Sequence, residues 1–345
     1  MSKINNILTP FFQSVWQKKG LISTLLLPFA YLYEWAGKQR AKQPCVPLKC
    51  PVIVVGNIYV GGTGKTPVTI QLINDLKALG FHPGVVSRGY GATEIKNEPH
   101  LSGHTPLSPE NFGDEPCLLA QYAPIAVHPN RVLAAQKLLA VYPEIDVIIS
   151  DDGLQHRRLA RDIEIIVQDS RGIGNGRVLP AGPLRESADR LNTVDFVLQN
   201  FSPLEDPDTI KKQYPNVPYG FNLKPVHFRH LVTQTTQPLE AFQGKTGLCV
   251  LAGIGNPQRF FNTLTQHGIT AQTYLRFPDH YAFSTTDFDK ITQDIILLTA
   301  KDAIKCPADP RIWVLEVQAQ WIPGDFIEAL LRQLNHKRSN HESNI

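Results

Sequence analysis

This 345-residue chain lacks the marks of a disulfide framework or a zinc site. Its five cysteines (Cys45, Cys50, Cys117, Cys249 and Cys306) are odd in number, and no pair has C-x-x-C spacing. A reducing compartment fits them best. A strong charge of one sign is also missing, because the formal net charge of +3 is too small to argue for nucleic acid. There is no internal repeat and no low-complexity block. The apolar run "LISTLLLPFAYLY" (21 to 33) is shorter than the roughly 20 residues that a bilayer-spanning helix needs. A signal peptide fits poorly as well, since the run starts late and no small-x-small cleavage site precedes "EWAGKQR".

What is present is a globular composition, 42% hydrophobic and 19% charged, long enough for one large domain or two. Basic residues concentrate in "KKG" (18 to 20) and "QHRRLARD" (155 to 162), which read either as solvated faces or as contacts for an anionic head group or membrane surface. The apolar run leaves two readings open. It is a buried core helix, or a helix in the membrane interface with Trp16, Tyr31, Tyr33 and Trp35 as head-group anchors.

Between residues 51 and 200, β-rich runs such as "PVIVVG", "HPGVVS", "IDVIIS" and "IEIIVQD" alternate with helical patterns. Alternation of this kind predicts a mostly parallel sheet covered by helices, with ligands at the carboxyl ends of its strands. The Pro- and Asp-rich stretch 201 to 220 reads as a connection, and a second α/β unit follows from "TGLCVLAGIGNPQRFF", with a helix near 285 to 296. The final "NHKRSNHESNI" is polar and expected to be disordered.

Chemistry-bearing clusters follow the predicted strands. "GNIYVGGTGKTP" (56 to 67) reads as a phosphate loop, although Tyr59 stands where the standard pattern has glycine. Residues Tyr59, Val60, Gly61, Gly62, Thr63 and Gly64 would wrap ATP, Lys65 would reach its β and γ phosphates, and Thr66 would hold Mg²⁺. A helix is expected from Pro67, with its positive end at the phosphates. "IDVIISDDGLQH" ends a strand in Asp151 and Asp152, the form that orders Mg²⁺. Asp114 and Glu115 of "GDEP" open a helix, as caps or, for Asp114, as the group that takes the acceptor proton. Arg88 and Tyr90 of "SRGYG", Arg131, and Arg185 of "LPAGPLRES" are offered to phosphate or sugar. His280 of "RFPDHYAFS" lies in the second unit. If the two units face each other across a cleft, it could pair with Asp114.

Taken together and in order, "VGNIYVGGTGKTP", "SRGYG", "GDEP", "SDDGLQH", "LPAGPLRE" and "FPDHY" resemble the tetraacyldisaccharide 4'-kinase family over about residues 1 to 320. The resemblance implies an α/β fold: a P-loop NTPase-like parallel-sheet core (41–222) and a smaller α/β domain (223–325) joined by a short β linker. A membrane-associated N-terminal helical segment (1–40) would precede them and a polar tail (326–345) would follow. It further implies transfer of the ATP γ-phosphate to the 4'-hydroxyl of tetraacyldisaccharide 1-phosphate, giving lipid IVA, on the cytoplasmic face of the bacterial inner membrane. Asp114 is similar to the family's catalytic carboxylate, His280 to the histidine that supports it, and Lys65 to its phosphate contact. Thr66, Asp151, Asp152 and Glu115 resemble its metal-site cluster. Tyr90, Arg131 and Arg185 fall on positions suited to acceptor or phosphate contacts. Tyr59, Ser187 and Ala300 depart from the family's usual residues without removing a reactive group. The rival reading is a membrane-associated deviant P-loop ATPase switch, weakened because Val60 replaces that class's signature lysine.

Overall fold

The computed structural model describes residues 15–92, 95, 97–201, 219–322 and 324–342. Among these, thirteen strands join one sheet. They are β1 Val52–Gly56, β2 Pro83–Ser87, β3 His100–Leu101, β4 Ile125–Val127, β5 Val147–Asp151, β6 Ile163–Gln168, β7 Phe196–Asn200, β8 Tyr219–His230, β9 Thr236–Gln237, β10 Leu248–Ala252, β11 Thr273–Arg276, β12 Ile295–Thr299 and β13 Ile312–Ile322. Their spatial order is β11-β10-β12-β13-β8-β7-β6-β1-β5-β2-β4-β3, with β9 paired to β8.

Every residue of β1 is buried because helices cover both faces of the sheet. Ile53 and Val55 meet Val68, Leu72 and Leu76 of the helix Lys65–Ala78, while Val52 and Val54 meet Leu138 of the helix Arg131–Val141. A parallel strand covered on both sides must be apolar at every position, which is why "VIVV" shows no alternation. Burial of each such side chain contributes about 1.5–3 kcal/mol.

Strand β1 runs parallel to β5 on one side and β6 on the other, so the strand order reverses there. A crevice opens at the carboxyl end of a strand so placed. The second half repeats the arrangement at β10, which lies parallel between β11 and β12. The antiparallel pair β8–β13 carries the sheet from one half to the other. Of the stretch read as a connection, residues 202–218 lie outside the described residues, and Tyr219 and Gly220 already belong to β8.

The structure revises three local readings. Of the two left open for the apolar N-terminal run, the core helix is excluded: the run forms helices Leu21–Leu25 and Leu27–Ala41, of which only Ser23 and Ala30 are buried. Leu21, Leu25, Phe29 and Leu32 are 61–77% exposed. Trp16 is half-buried and donates its indole N–H to the Pro180 carbonyl at 3.0 Å. Ser23 fixes the segment by donating to the Ala181 carbonyl and accepting from Arg177 Nη1 at 2.9 Å and Asn175 Nδ2 at 3.1 Å. No helix among the described residues is long and apolar enough to cross a membrane.

The polar tail is the second correction, because Phe326–Glu342 is a helix. Phe326, Leu330 and Leu334 recur every four residues, form one stripe, and pack into the core beside β7 and the helix Lys65–Ala78. Composition is a poor guide here, since an apolar stripe of three residues suffices to seat a helix whose other residues are mostly polar. The third is the helix expected near 285 to 296, which ends at Asp289 after a start set by the Ser284–Asp287 capping box.

Candidate active site

The loop after β1 is braced from three directions. Gly64 opens the helix Lys65–Ala78 with φ 97°, and a Cβ there would lie 2.6 Å from Asn200 Nδ2. That nitrogen donates to the Thr63 carbonyl at 2.9 Å, and Arg259 Nη2 from the second half donates to Asn200 Oδ1 at 2.9 Å. Tyr59 forms a β-bridge to Leu184, and Val60 N–H donates to the Pro183 carbonyl at 2.9 Å. Arg171 stacks 4.6 Å above the Tyr59 ring and donates to the Gly62 carbonyl at 2.6 Å. Tyr59 therefore supports the loop through Arg171. The helix starts two residues before Pro67, which still falls in its first turn and needs no N–H partner.

The two carboxylates after β5 have opposite surroundings. Asp152, at φ 47°, accepts from Arg185 Nη1 at 2.8 and 3.0 Å and lies 3.4 Å from Lys65 Nζ. Burial pushes its carboxyl up, but Lys65 and Arg185 outweigh burial and hold it at about 2. Asp151 is buried and accepts from Ser87 Oγ at 3.2 Å, while its Oδ1 is buried without a hydrogen bond. Burial, reinforced by Glu115 and Asp152, pushes the Asp151 carboxyl up. Arg131 is buried and donates from Nη2 to the Asp151 and Asp152 carbonyls at 2.9 and 2.8 Å. Arg131 thus braces this turn through Nη2 while it also lines the cleft. Among the described residues, no three His, Cys, Asp or Glu side chains converge as a metal cluster.

Across the cleft, Asp114 begins the helix Asp114–Leu119 without capping it through its side chain. Its Oδ2 instead meets His280 Nδ1 at 2.8 Å and Lys305 Nζ at 3.6 Å. Burial raises the Asp114 carboxyl, but the His280 hydrogen bond and the Lys305 charge outweigh it, so the net shift is downward. Gly113 has φ 85°, and a Cβ there would run into the Tyr90 carbonyl, so "SRGYG" and "GDEP" interlock at a position only glycine fits. The Tyr90 ring, 74% exposed, lies 5.8 Å from the His280 ring. Glu115 pairs with Lys301 at 3.3 Å, and Lys301 also lies 3.6 Å from Asp279.

The structure thus brings Lys65, Asp152 and Arg185 into one cluster and Asp114 with His280 into another. The first cluster lines a cleft of about 2790 Å³ and the second borders it through His280; the cleft also reaches Thr66, Glu115, and Tyr33 and Gly37 of the N-terminal helix. Sequence reasoning missed Arg171, Asn200, Arg259, Lys301 and Lys305. Only Asn200 carried a usable signal, a polar residue closing the apolar strand β7 at its carboxyl end.

The profile of the family described as Tetraacyldisaccharide-1-P 4'-kinase matches residues 22–335. A tetraacyldisaccharide 4'-kinase of Bordetella petrii is 48% identical over 341 residues, covering 94% of this chain and 96% of that protein. One from Herminiimonas arsenicoxydans is 42% identical, covering 95% and 96%. A crystal structure of LpxK from Aquifex aeolicus in complex with ATP matches the fold with a TM-score of 0.73 at 26% identity, covering 91% of this chain and 100% of that one. The mixed α/β fold, the cleft and these matches over nearly the whole length agree, and the chain belongs to the tetraacyldisaccharide-1-P 4'-kinase family.

Proposed function

We propose that this protein transfers the γ-phosphate of ATP to the 4'-hydroxyl of tetraacyldisaccharide 1-phosphate, the step that forms lipid IVA. The observation that carries the reading is the Asp114–His280 contact at 2.8 Å beside the cleft that Lys65, Asp152 and Arg185 line. Phosphoryl transfer needs positioning and charge neutralisation more than covalent chemistry. The N–H groups of Gly61 to Thr66 and the Lys65 ammonium receive the β and γ phosphates. Arg185, held by Asp152, adds a second cation for the anionic acceptor or the transferring group. Asp114 orients the 4'-hydroxyl and accepts its proton as that oxygen attacks the γ-phosphorus and the bond to the bridging oxygen of ADP breaks. A carboxylate with a lowered pKa suits a loose transition state, in which the proton leaves late.

Mg²⁺ fits the residues present, because the buried Asp151 Oδ1 is a carboxyl oxygen without a donor, and a cation there would offset the burial and neighbouring carboxylates that push this group up. Asp151 and the Thr66 hydroxyl would hold the ion, with Asp152 and Glu115 adding negative charge nearby. Bound there, it would supply charge neutralisation at the phosphates.

An acceptor with four acyl chains stays in a bilayer, so the protein must reach a membrane surface. The exposed apolar side of the helices Leu21–Leu25 and Leu27–Ala41 supports an interfacial seat on the cytoplasmic face of the inner membrane. The cleft's extension to Tyr33 and Gly37 suits an acceptor entering from that side.

The test is incubation with ATP, Mg²⁺ and the lipid disaccharide phosphate in detergent, with and without chelator. The expected result is a bis-phosphorylated lipid that is lost on chelation. ATP consumption that ignores the lipid would sink the kinase reading and favour the ATPase-switch alternative.

A further inference from the structure

We propose that Lys305 is a positioning residue for the transfer reaction, holding the Asp114 carboxylate across the cleft, an inference that rests on the kinase reading above. Lys305 follows the short helix Ala300–Ala303, directly after the carboxyl end of β12. Its side chain is only 4% exposed, and its Nζ is held by carboxylate contacts alone. The ammonium lies between two carboxylates, 3.5 Å from Asp302 Oδ1 and 3.6 Å from Asp114 Oδ2, with the Phe283 ring centroid 5.7 Å away.

Burying an ammonium is costly unless carboxylates offset it, and a lysine needed only for packing would turn its charge to solvent. Asp302 has other partners: it accepts from Thr299 Oγ1 at 2.8 Å and from Gly253 N–H at 3.2 Å. Asp114 is the partner that Lys305 reaches across the two halves of the sheet. His280 and Lys305 both approach Oδ2, so Oδ1 is the oxygen left for the acceptor hydroxyl. His280 alone fixes one direction. A second contact on the same oxygen restrains rotation of the carboxylate about its last bond, and orientation of a reacting group carries a large share of rate. Lys305 acts through Asp114 and touches neither substrate.

The test is a double-mutant cycle between Lys305→Met and Asp114→Asn in the full chain, reading kcat and KM for ATP and for the lipid acceptor. Lys305→Met alone is expected to lower kcat by about 10-fold or more with both KM values within about threefold. In the Asp114→Asn background it is expected to lower the residual turnover no further. Equal fold losses in both backgrounds would mark a structural role and overturn the proposal, as would an unchanged kcat for Lys305→Met. If that variant does not fold, Lys305→Met with Asp302→Asn is read in its place, since it removes both charges of the buried pair and leaves no orphan carboxylate at Asp302. A wild-type chain inert toward the lipid acceptor would instead remove the kinase reading, and this proposal with it.

Discussion

His280 Nδ1 lies 2.8 Å from Asp114 Oδ2, a contact between residues 166 positions apart that ties the loop after β11 to a helix start in the other half of the sheet. It makes Asp114 a first-half carboxylate held by two groups of the second half, His280 and Lys305. Asp152, by contrast, is already committed to Lys65 and Arg185.

Asp114→Asn should therefore lower kcat by at least about 100-fold while ATP binding survives, because the glycine-rich loop proposed to hold ATP does not depend on this side chain. Steady-state turnover and nucleotide titration check it together. Wild-type-like turnover would remove Asp114 from the mechanism.

Glu164 on β6 predicts a pH dependence. Burial raises its carboxyl, but hydrogen bonds from Arg190 Nη2 at 2.7 Å and Arg161 Nη1 at 2.9 Å outweigh it and the net shift is downward. A lowered carboxylate contributes stability that is present above its unfolded pKa and lost as pH falls through its folded one. Glu164→Gln should cost about 2 kcal/mol at neutral pH. The gap to wild type should narrow steadily below about pH 4. Urea unfolding across that range measures it, and a gap that stays constant with pH contradicts the assignment.

The N-terminal helices offer a test that separates surface from core. Leu25, Phe29 and Leu32 are 67%, 61% and 61% exposed, so replacing all three by serine should leave the melting temperature nearly unchanged. Affinity for vesicles of anionic phospholipid should fall by about 10-fold or more. Unchanged vesicle binding would count against the interfacial seat.

Phe326 is fully buried against Phe196, Tyr219 and Trp321, with ring centroids 5.4, 5.5 and 4.8 Å away. Phe326→Ala should lower the unfolding free energy by about 3–5 kcal/mol. Denaturant midpoints give the value, and a loss below about 1 kcal/mol would return the C-terminal segment to a dispensable tail.

By itself the sequence determined the alternating α/β pattern, the glycine-rich loop after β1 and the paired carboxylates after β5. Those features are local: burial on both faces forces continuous apolar strands, and a tight loop forces glycine at Gly64. Tertiary structure alone decided the rest. Composition said nothing of the packing that makes Phe326, Leu330 and Leu334 a core stripe, and the apolar run 21 to 33 did not reveal that a polar latch at Ser23 leaves its leucines outside. Arg131 was legible as a cation near the site, but only the fold showed its Nη2 bracing two backbone carbonyls. Lys305 had no local signature at all. A buried charge takes its meaning from the groups placed opposite it, and for Lys305 that group is a carboxylate supplied by the other half of the sheet.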